Sequence, residues 1–196
     1  MTEQLSPSRR RTRQTLFKAA LDLLEEGARP TIQDIAERAS VSRASAYRYF
    51  SDPAELIDTA LAETTSELLA FDAGSLDGSA ADRAEQLVAR RALVILANEA
   101  LFRRGLASQN PGRGARPPNA DPDLGNAVKV ALEPLESRLA RQTHDQLAAS
   151  LLLLAGPHAI LGLRDSAALR PSDAEACLRW MARTLVTGAI MRDAAG

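Results

Sequence analysis

The 196-residue chain is predicted to be all-α, with about nine helices. Three observations carry that expectation. No run alternates β-branched or aromatic residues with polar ones, and aromatics make up only 4% of the chain, which leaves little material for strands. Apolar residues instead recur at helical spacing from Leu16 to the C-terminal end. The intervals between these periodic runs hold cap residues, glycine and proline.

In order, Leu16, Ala19, Ala20, Leu23 and Leu24 mark a first amphipathic helix that closes at Gly27. Thr31 caps a second, with Asp34 as its capping-box partner, running to about Ala39. Ser40-Val41-Ser42 interrupts it, and Ser42 caps a third helix through Phe50. Asp52, Pro53 and Glu55 occupy the N-cap, N1 and N3 positions of a fourth, which continues toward Ala70. After a Gly/Ser/Asp-rich break at 72–79, helices are expected over Ala81–Ala97 and Asn98–Leu106. The stretch from Gly105 to Asp123 is rich in proline and glycine and reads as a long loop. Helices over 121–141, 143–164 (kinked at Gly156-Pro157) and 172–192 complete the chain. On the last of them Leu178, Met181, Ala182, Leu185, Ala189 and Ile190 share one face.

Charge narrows the function. The chain is nearly neutral, at net −1, which argues against a protein that coats nucleic acid through bulk positive charge. The distribution is uneven, however. Residues 1–50 carry nine Lys and Arg against six Asp and Glu, whereas residues 51–196 carry fifteen against nineteen. Arg9, Arg10, Arg11, Arg13 and Lys18 form one acid-free stretch, and Arg38, Arg43 and Arg48 another. A small cationic head on an acidic body suits a protein of which one end meets a polyanion.

The segment from Thr31 to Phe50 holds the chemistry. Two short helices joined by a three-residue turn have the geometry of a helix-turn-helix, whose second helix enters the major groove. Ile35, Ala36, Ala39, Val41, Ala46 and Phe50 can form its small core. The remaining face of the second helix shows Arg43, Ser45, Tyr47 and Arg48, all hydrogen-bond donors, with no carboxylate to repel phosphate. Arginine pairs bidentately with guanine, and Ala44 suits a thymine methyl. Thr31 and Ser42 frame helix N-termini whose free N–H groups favour phosphate oxygens. With Tyr49, the expected DNA-contact set is Thr31, Ser42, Arg43, Ala44, Ser45, Tyr47, Arg48 and Tyr49. The alternative for this segment is an αα-hairpin used only in packing.

From residue 12 to residue 62 the sequence resembles the TetR family of bacterial transcriptional regulators. The resemblance rests on Thr31-x-x-Asp34-Ile35-Ala36, Val41-Ser42-Arg43, Tyr47-x-Tyr49-Phe50 and Leu56. It implies a DNA-binding domain over 1–52 and a helical effector-binding and dimerisation domain over 53–196. It further implies a homodimer paired through the last two helices, a palindromic duplex operator, a small-molecule effector and a repressor's role. Three residues depart from the family pattern. Ser40 stands where glycine is usual, and a serine in a left-handed turn costs on the order of 1 kcal/mol. Ala46 stands where leucine is common, and Pro53 replaces a lysine that often meets phosphate. The Arg9–Arg13 run reads either as an arm for the minor groove or as a solvated tail.

Beyond the head the residues are less informative. Glu99, Phe102 and Arg103 either shape an effector pocket or face solvent. His158 reads as a polar pocket group or, better, as a satisfied core histidine. Trp180 could pack in the core, line a pocket or flank the dimer seam. The close-packed seam is expected at Ala155, Gly156, Ala159 and Gly162 on one helix and at Gly188 and Ala189 on the other. No catalytic motif appears, so the chain reads as a non-enzyme without cofactor or metal; His144 and His158 have no ligand cluster around them. Cys177 alone allows no disulfide framework, no export signal is present, and no apolar run reaches the roughly 18 residues of a membrane span, so a cytoplasmic chain is expected. The other functional class is an all-α ligand- or protein-binding module whose head does not bind DNA.

Overall fold

The computed structural model describes residues 6–108 and 122–195, and it contains ten α-helices and no strand among them. The chain divides into two compact units, residues 1–65 and 66–196.

The first unit begins with α1 (Pro7–Glu25), capped by Ser6, so the Arg9–Arg13 run is the opening of a helix rather than an extended arm. Gly27, at φ 80°, ends it: Gly27 N–H bonds Leu24 O and Ala28 N–H bonds Leu23 O, each at 3.0 Å, the paired closure of a Schellman turn. The helix α2 (Ile32–Arg38) starts at the expected capping box of Thr31 and Asp34. It ends in the same paired closure, Ser40 N–H to Glu37 O and Val41 N–H to Ala36 O, with Ser40 in the left-handed region at φ 53°. Next comes α3 (Arg43–Tyr47), capped by Ser42 and shorter than expected, since the chain beyond Tyr47 turns toward Phe50 instead of continuing. The fourth helix, α4 (Pro53–Leu69), opens with the Asp52 carboxylate accepting the Ala54 N–H at 2.9 Å.

Leu16, Phe17 and Ala20 of α1, Ile32, Ile35 and Ala36 of α2, and Leu56 and Ala60 of α4 build one core with Ala39, Ala46 and Phe50. The Phe17 and Phe50 rings lie 5.8 Å apart in a tilted pair. Val41 is half-buried against this core. The inner residues expected of the helix-turn-helix are thus those that pack.

In the second unit a short 3-10 turn at Ala73–Ser75 precedes α5 (Ala80–Ala97), whose Ala84, Leu87, Val88, Ala92 and Ile95 form the centre of a larger core. Around it lie α6 (Glu99–Ser108), α7 (Pro122–Leu132), α8 (Arg141–Leu154), α9 (Pro157–Ala167) and α10 (Pro171–Ala194). Four expectations change here. The loop expected over 105–123 loses both ends to helices, as Gly105–Ser108 close α6 and Pro122 and Asp123 open α7; its remainder, 109–121, lies outside the described residues. The helix expected over 121–141 stops at Leu132, because Pro134 has no N–H for the Val130 carbonyl, and a 3-10 turn at Glu133–Leu135 follows. The kinked helix expected over 143–164 is two helices, α8 and α9, bent by 63° at Gly156-Pro157. On α10 the core face is Ala174, Leu178, Ala182 and Val186, spaced four apart, and this ridge turns Leu185 outward.

Candidate nucleic-acid interface

The interface begins with α3, a helix too short to be stable alone and held by its N-cap and one buried side chain. Ser42 Oγ accepts the Ser45 N–H at 3.2 Å, and Ala46 is fully buried in the head core. With Ala46 and Phe50 inward, Arg43, Ala44, Tyr47 and Arg48 are exposed, and Ser45 is half-buried. Tyr47 is 45% exposed, which is high for a tyrosine of a packed domain. Tyr49 is half-buried against the core, so its ring supports the motif more than it extends from it.

Two contacts organise the outward side chains. The Arg43 guanidinium lies 5.6 Å from the centre of the Tyr47 ring, one helical turn away. On the other flank Ser42 Oγ and Ser45 Oγ are 2.9 Å apart, and an Arg48 Nη2 proton reaches Ser45 Oγ at 3.0 Å.

The surrounding cations sort into paired and unpaired groups. Arg38 is bound to both oxygens of Glu26 at 2.8 Å each, which holds the Glu26 carboxyl below its usual range and removes Arg38 from the cationic face read in the sequence. Arg13 pairs with Glu63 at 2.5 Å and lies over the Phe17 ring. These described ion pairs take Arg13 and Arg38, whereas Arg43 and Arg48 keep a ring and a hydroxyl as neighbours. At the start of α2 the Asp34 carboxylate accepts both the N–H and the hydroxyl of Thr31 at 2.8 Å, which lowers its pKa. Thr31 therefore faces solvent with its polar atoms already engaged, beside a negative charge.

The residues expected at an effector pocket do not converge. Glu99 and Arg103 do meet: Arg103 bonds Glu99 at 2.7 Å and Asp165 at 2.5 Å, and Arg164 also reaches Glu99. The Arg103 guanidinium is the first cause of the lowered pKa of both carboxylates. Phe102, in contrast, is buried in the core, and His158 is exposed rather than a core histidine. Trp180 is 66% exposed, neither core nor pocket wall. Two open grooves lie elsewhere in this unit. One, of about 530 Å³, is lined by Asn126, Lys129, Glu133, Glu136 and His144. The other, of about 570 Å³, runs between α8 and α10 along Leu147, Ser150, Leu185, Gly188 and Arg192.

Sequence reasoning missed Arg91, the more deeply buried of two polar residues enclosed among the described residues of the second unit, the other being Thr143. Arg91 is 2% exposed, and its Nε donates to the Ala155 carbonyl at 2.7 Å, where α8 ends. Its signal was available, because position 91 falls four residues after Leu87 and four before Ile95, on the apolar stripe of α5.

Residues 16–60 match the family model of bacterial regulatory proteins of the tetR family. The fold as a whole is similar to that of a TetR transcriptional regulator from Rhodococcus sp. RHA1, with a TM-score of 0.54 and 19% sequence identity, covering 90% of this chain and 96% of that one. No curated protein matches the chain in sequence.

Proposed function

We propose, from the match of residues 16–60 to the tetR family model and from the fold shared with such a regulator, that the chain is a TetR-family protein: a sequence-specific DNA-binding repressor that acts as a homodimer. The observation that carries this reading is the division of α3 into two faces. Ala46 and the following Phe50 are buried, while Arg43, Ala44, Tyr47 and Arg48 stand together in solvent without a carboxylate partner among the described residues. Arg43 and Arg48 would read base edges or phosphates, Ala44 would admit a thymine methyl, and the Tyr47 hydroxyl would hold a phosphate. Ser42 and Ser45 would contribute hydroxyls at the near end of the helix, and Thr31 and Tyr49 would lie at the margin.

Two such heads in a dimer would sit about 34–36 Å apart, in successive major grooves of a two-fold related operator. Dimerisation is supported by the apolar side chains that α8 and α10 leave outside, among them Leu152, Leu153, Leu185 and Met191. The groove between these two helices, with Gly188 along it, is where a second copy would pack. The protein would work in the cytoplasm, as a regulator and not as an enzyme. A small effector held by the helical unit at 66–196 would release DNA by favouring a spacing of the heads that the operator does not fit; it can shift that equilibrium only by its differential affinity for the two states.

A mobility shift at defined salt tests the central claim. Wild-type protein is expected to retard duplex DNA with an affinity that falls steeply as salt rises. The Arg43→Ala/Arg48→Ala double variant is expected to lose the operator while keeping its helical circular dichroism. Full operator affinity in that variant would sink the assignment.

A further inference from the structure

The recognition helix carries contacts that no DNA is needed to make, and these suggest how it discriminates between bases. In an ideal helix each residue advances about 100° around the axis. On that wheel Arg43 and Tyr47 lie within about 40° of each other on one flank of α3, and Ser45 and Arg48 lie within about 60° of each other on the opposite flank. Ala44 falls between the two pairs, and buried Ala46 faces the other way. Each arginine is therefore matched with a neighbour on its own flank, and each match is seen as a contact: guanidinium over ring for Arg43, guanidinium to hydroxyl for Arg48.

We propose that α3 presets its own two arginines, with the Tyr47 ring as the shelf for Arg43 and Ser45 as the anchor for Arg48, so that Tyr47 and Ser45 are positioning residues that determine base specificity. This rests on the DNA-binding reading given above and goes beyond it in assigning how the two reading side chains are aimed.

The chemistry supports separate jobs for the parts of each residue. Tyr47 offers a π-face to a cation and a hydroxyl to a phosphate, and the two do not compete, because the face holds Arg43 from the side while the hydroxyl lies at the ring edge. Ser45 Oγ accepts from Arg48 and also bonds Ser42 Oγ, so the anchor is itself tied to the N-cap. An arginine that enters the groove already oriented loses less rotamer freedom on meeting guanine, and the planar fork of guanidinium rewards correct aim more than a point charge would. The benefit falls on the bidentate match, so it appears as discrimination rather than as uniform affinity.

Selection by full-length protein from a library of duplexes with a randomised core provides the test. Wild type and the variants Tyr47→Phe, Tyr47→Leu, Ser45→Ala, Ser45→Thr, Arg43→Ala and Arg48→Ala would be run in parallel. Wild type is expected to enrich a two-fold related motif. Tyr47→Phe keeps the shelf and should enrich the same motif, with affinity reduced by one factor on every sequence. Tyr47→Leu should lose preference at the base pair that Arg43→Ala also loses, giving up about fivefold or more of the roughly tenfold or greater discrimination of a bidentate arginine–guanine pair. Ser45→Ala should do the same at the pair lost by Arg48→Ala, and Ser45→Thr should restore it. A role in helix stability alone would lower affinity at all positions together, and that result would overturn the proposal. So would an unchanged motif for Tyr47→Leu and Ser45→Ala beside altered motifs for the two arginine variants; the DNA-binding reading itself would then stand. If wild type enriches no motif, that reading falls and this one with it.

Discussion

Arg83 gives the Val130 carbonyl the hydrogen bond that the following turn cannot supply. Residue 134, four positions on, is proline and has no N–H, and an Arg83 Nη1 proton meets Val130 O at 3.2 Å instead. The same guanidinium holds the Gly78 carbonyl at 3.1 Å and the Glu133 carboxylate at 3.3 Å, so a single side chain of α5 secures the end of α7.

This relationship predicts a coupling. Arg83→Met is expected to cost about 1 kcal/mol through loss of that donor. In a Pro134→Ala background the helix can supply its own N–H, and the same change should cost less. A double-mutant cycle by urea denaturation measures the difference, and additive costs would show that the carbonyl does not need Arg83.

Ser40 offers a gain. It closes α2 at φ 53°, with the hydrogen bonds of a glycine-type turn around it. Ser40→Gly is expected to stabilise the head by about 1 kcal/mol, since glycine adopts this backbone without a Cβ penalty. Slower amide exchange in α2 would register it; unchanged or faster exchange would count against strain at this turn.

How much was legible follows from these cases. The caps at Thr31, Ser42 and Asp52 are local signals, and the helices after them start where those residues indicate. The outward α3 side chains were equally readable, because burial of Ala46 and Phe50 fixes what remains outside. Whole-unit packing was not local. Pro134 lay inside an apolar period that hid its effect, and the site set of Glu99, Phe102, Arg103, His158 and Trp180 drew on residue type alone. Whether Trp180 points into a core depends on which ridge of α10 meets α5, and the spacing of Leu178, Ala182 and Val186 turned that ridge away from it.

Acid should loosen the contact between α5 and α10. Asp82 caps α5 through Ser79 and binds Arg183, and the Ser79 hydroxyl, with Arg183 next, lowers its pKa from 3.8 to about 2. A carboxyl depressed in the folded state stabilises it above the unfolded value and loses that contribution as pH falls toward the folded one. Thermal melts of wild type should therefore decline between pH 4 and pH 2 more steeply than those of Asp82→Asn, for a window set by values of 3.8 and about 2. Parallel curves for the two proteins would remove Asp82 from the acid response.

The proposed dimer seam can be probed without harming the protomer. Ala155 is buried within its own unit and cannot be part of a seam, whereas a Cβ added at Gly188 or Gly162 meets nothing within 4 Å. Gly188→Glu is therefore expected to fold and to shift light scattering from dimer to monomer at micromolar concentration. A dimer that tolerates this charge would place the seam off the α8–α10 groove.

The bond from Arg91 to Ala155 has unequal ends. A main-chain oxygen belongs to every residue, so position 155 answers only to size, as the fully enclosed alanine there shows. Position 91 must combine reach, a directed N–H and tolerance of enclosure, and a lysine brings a strongly hydrated point charge in place of a planar fork. Mutational drift would thus be steered to one partner of the pair: the donor's codon stays fixed, while the acceptor's wanders among small side chains and the bend between α8 and α9 is inherited unaltered.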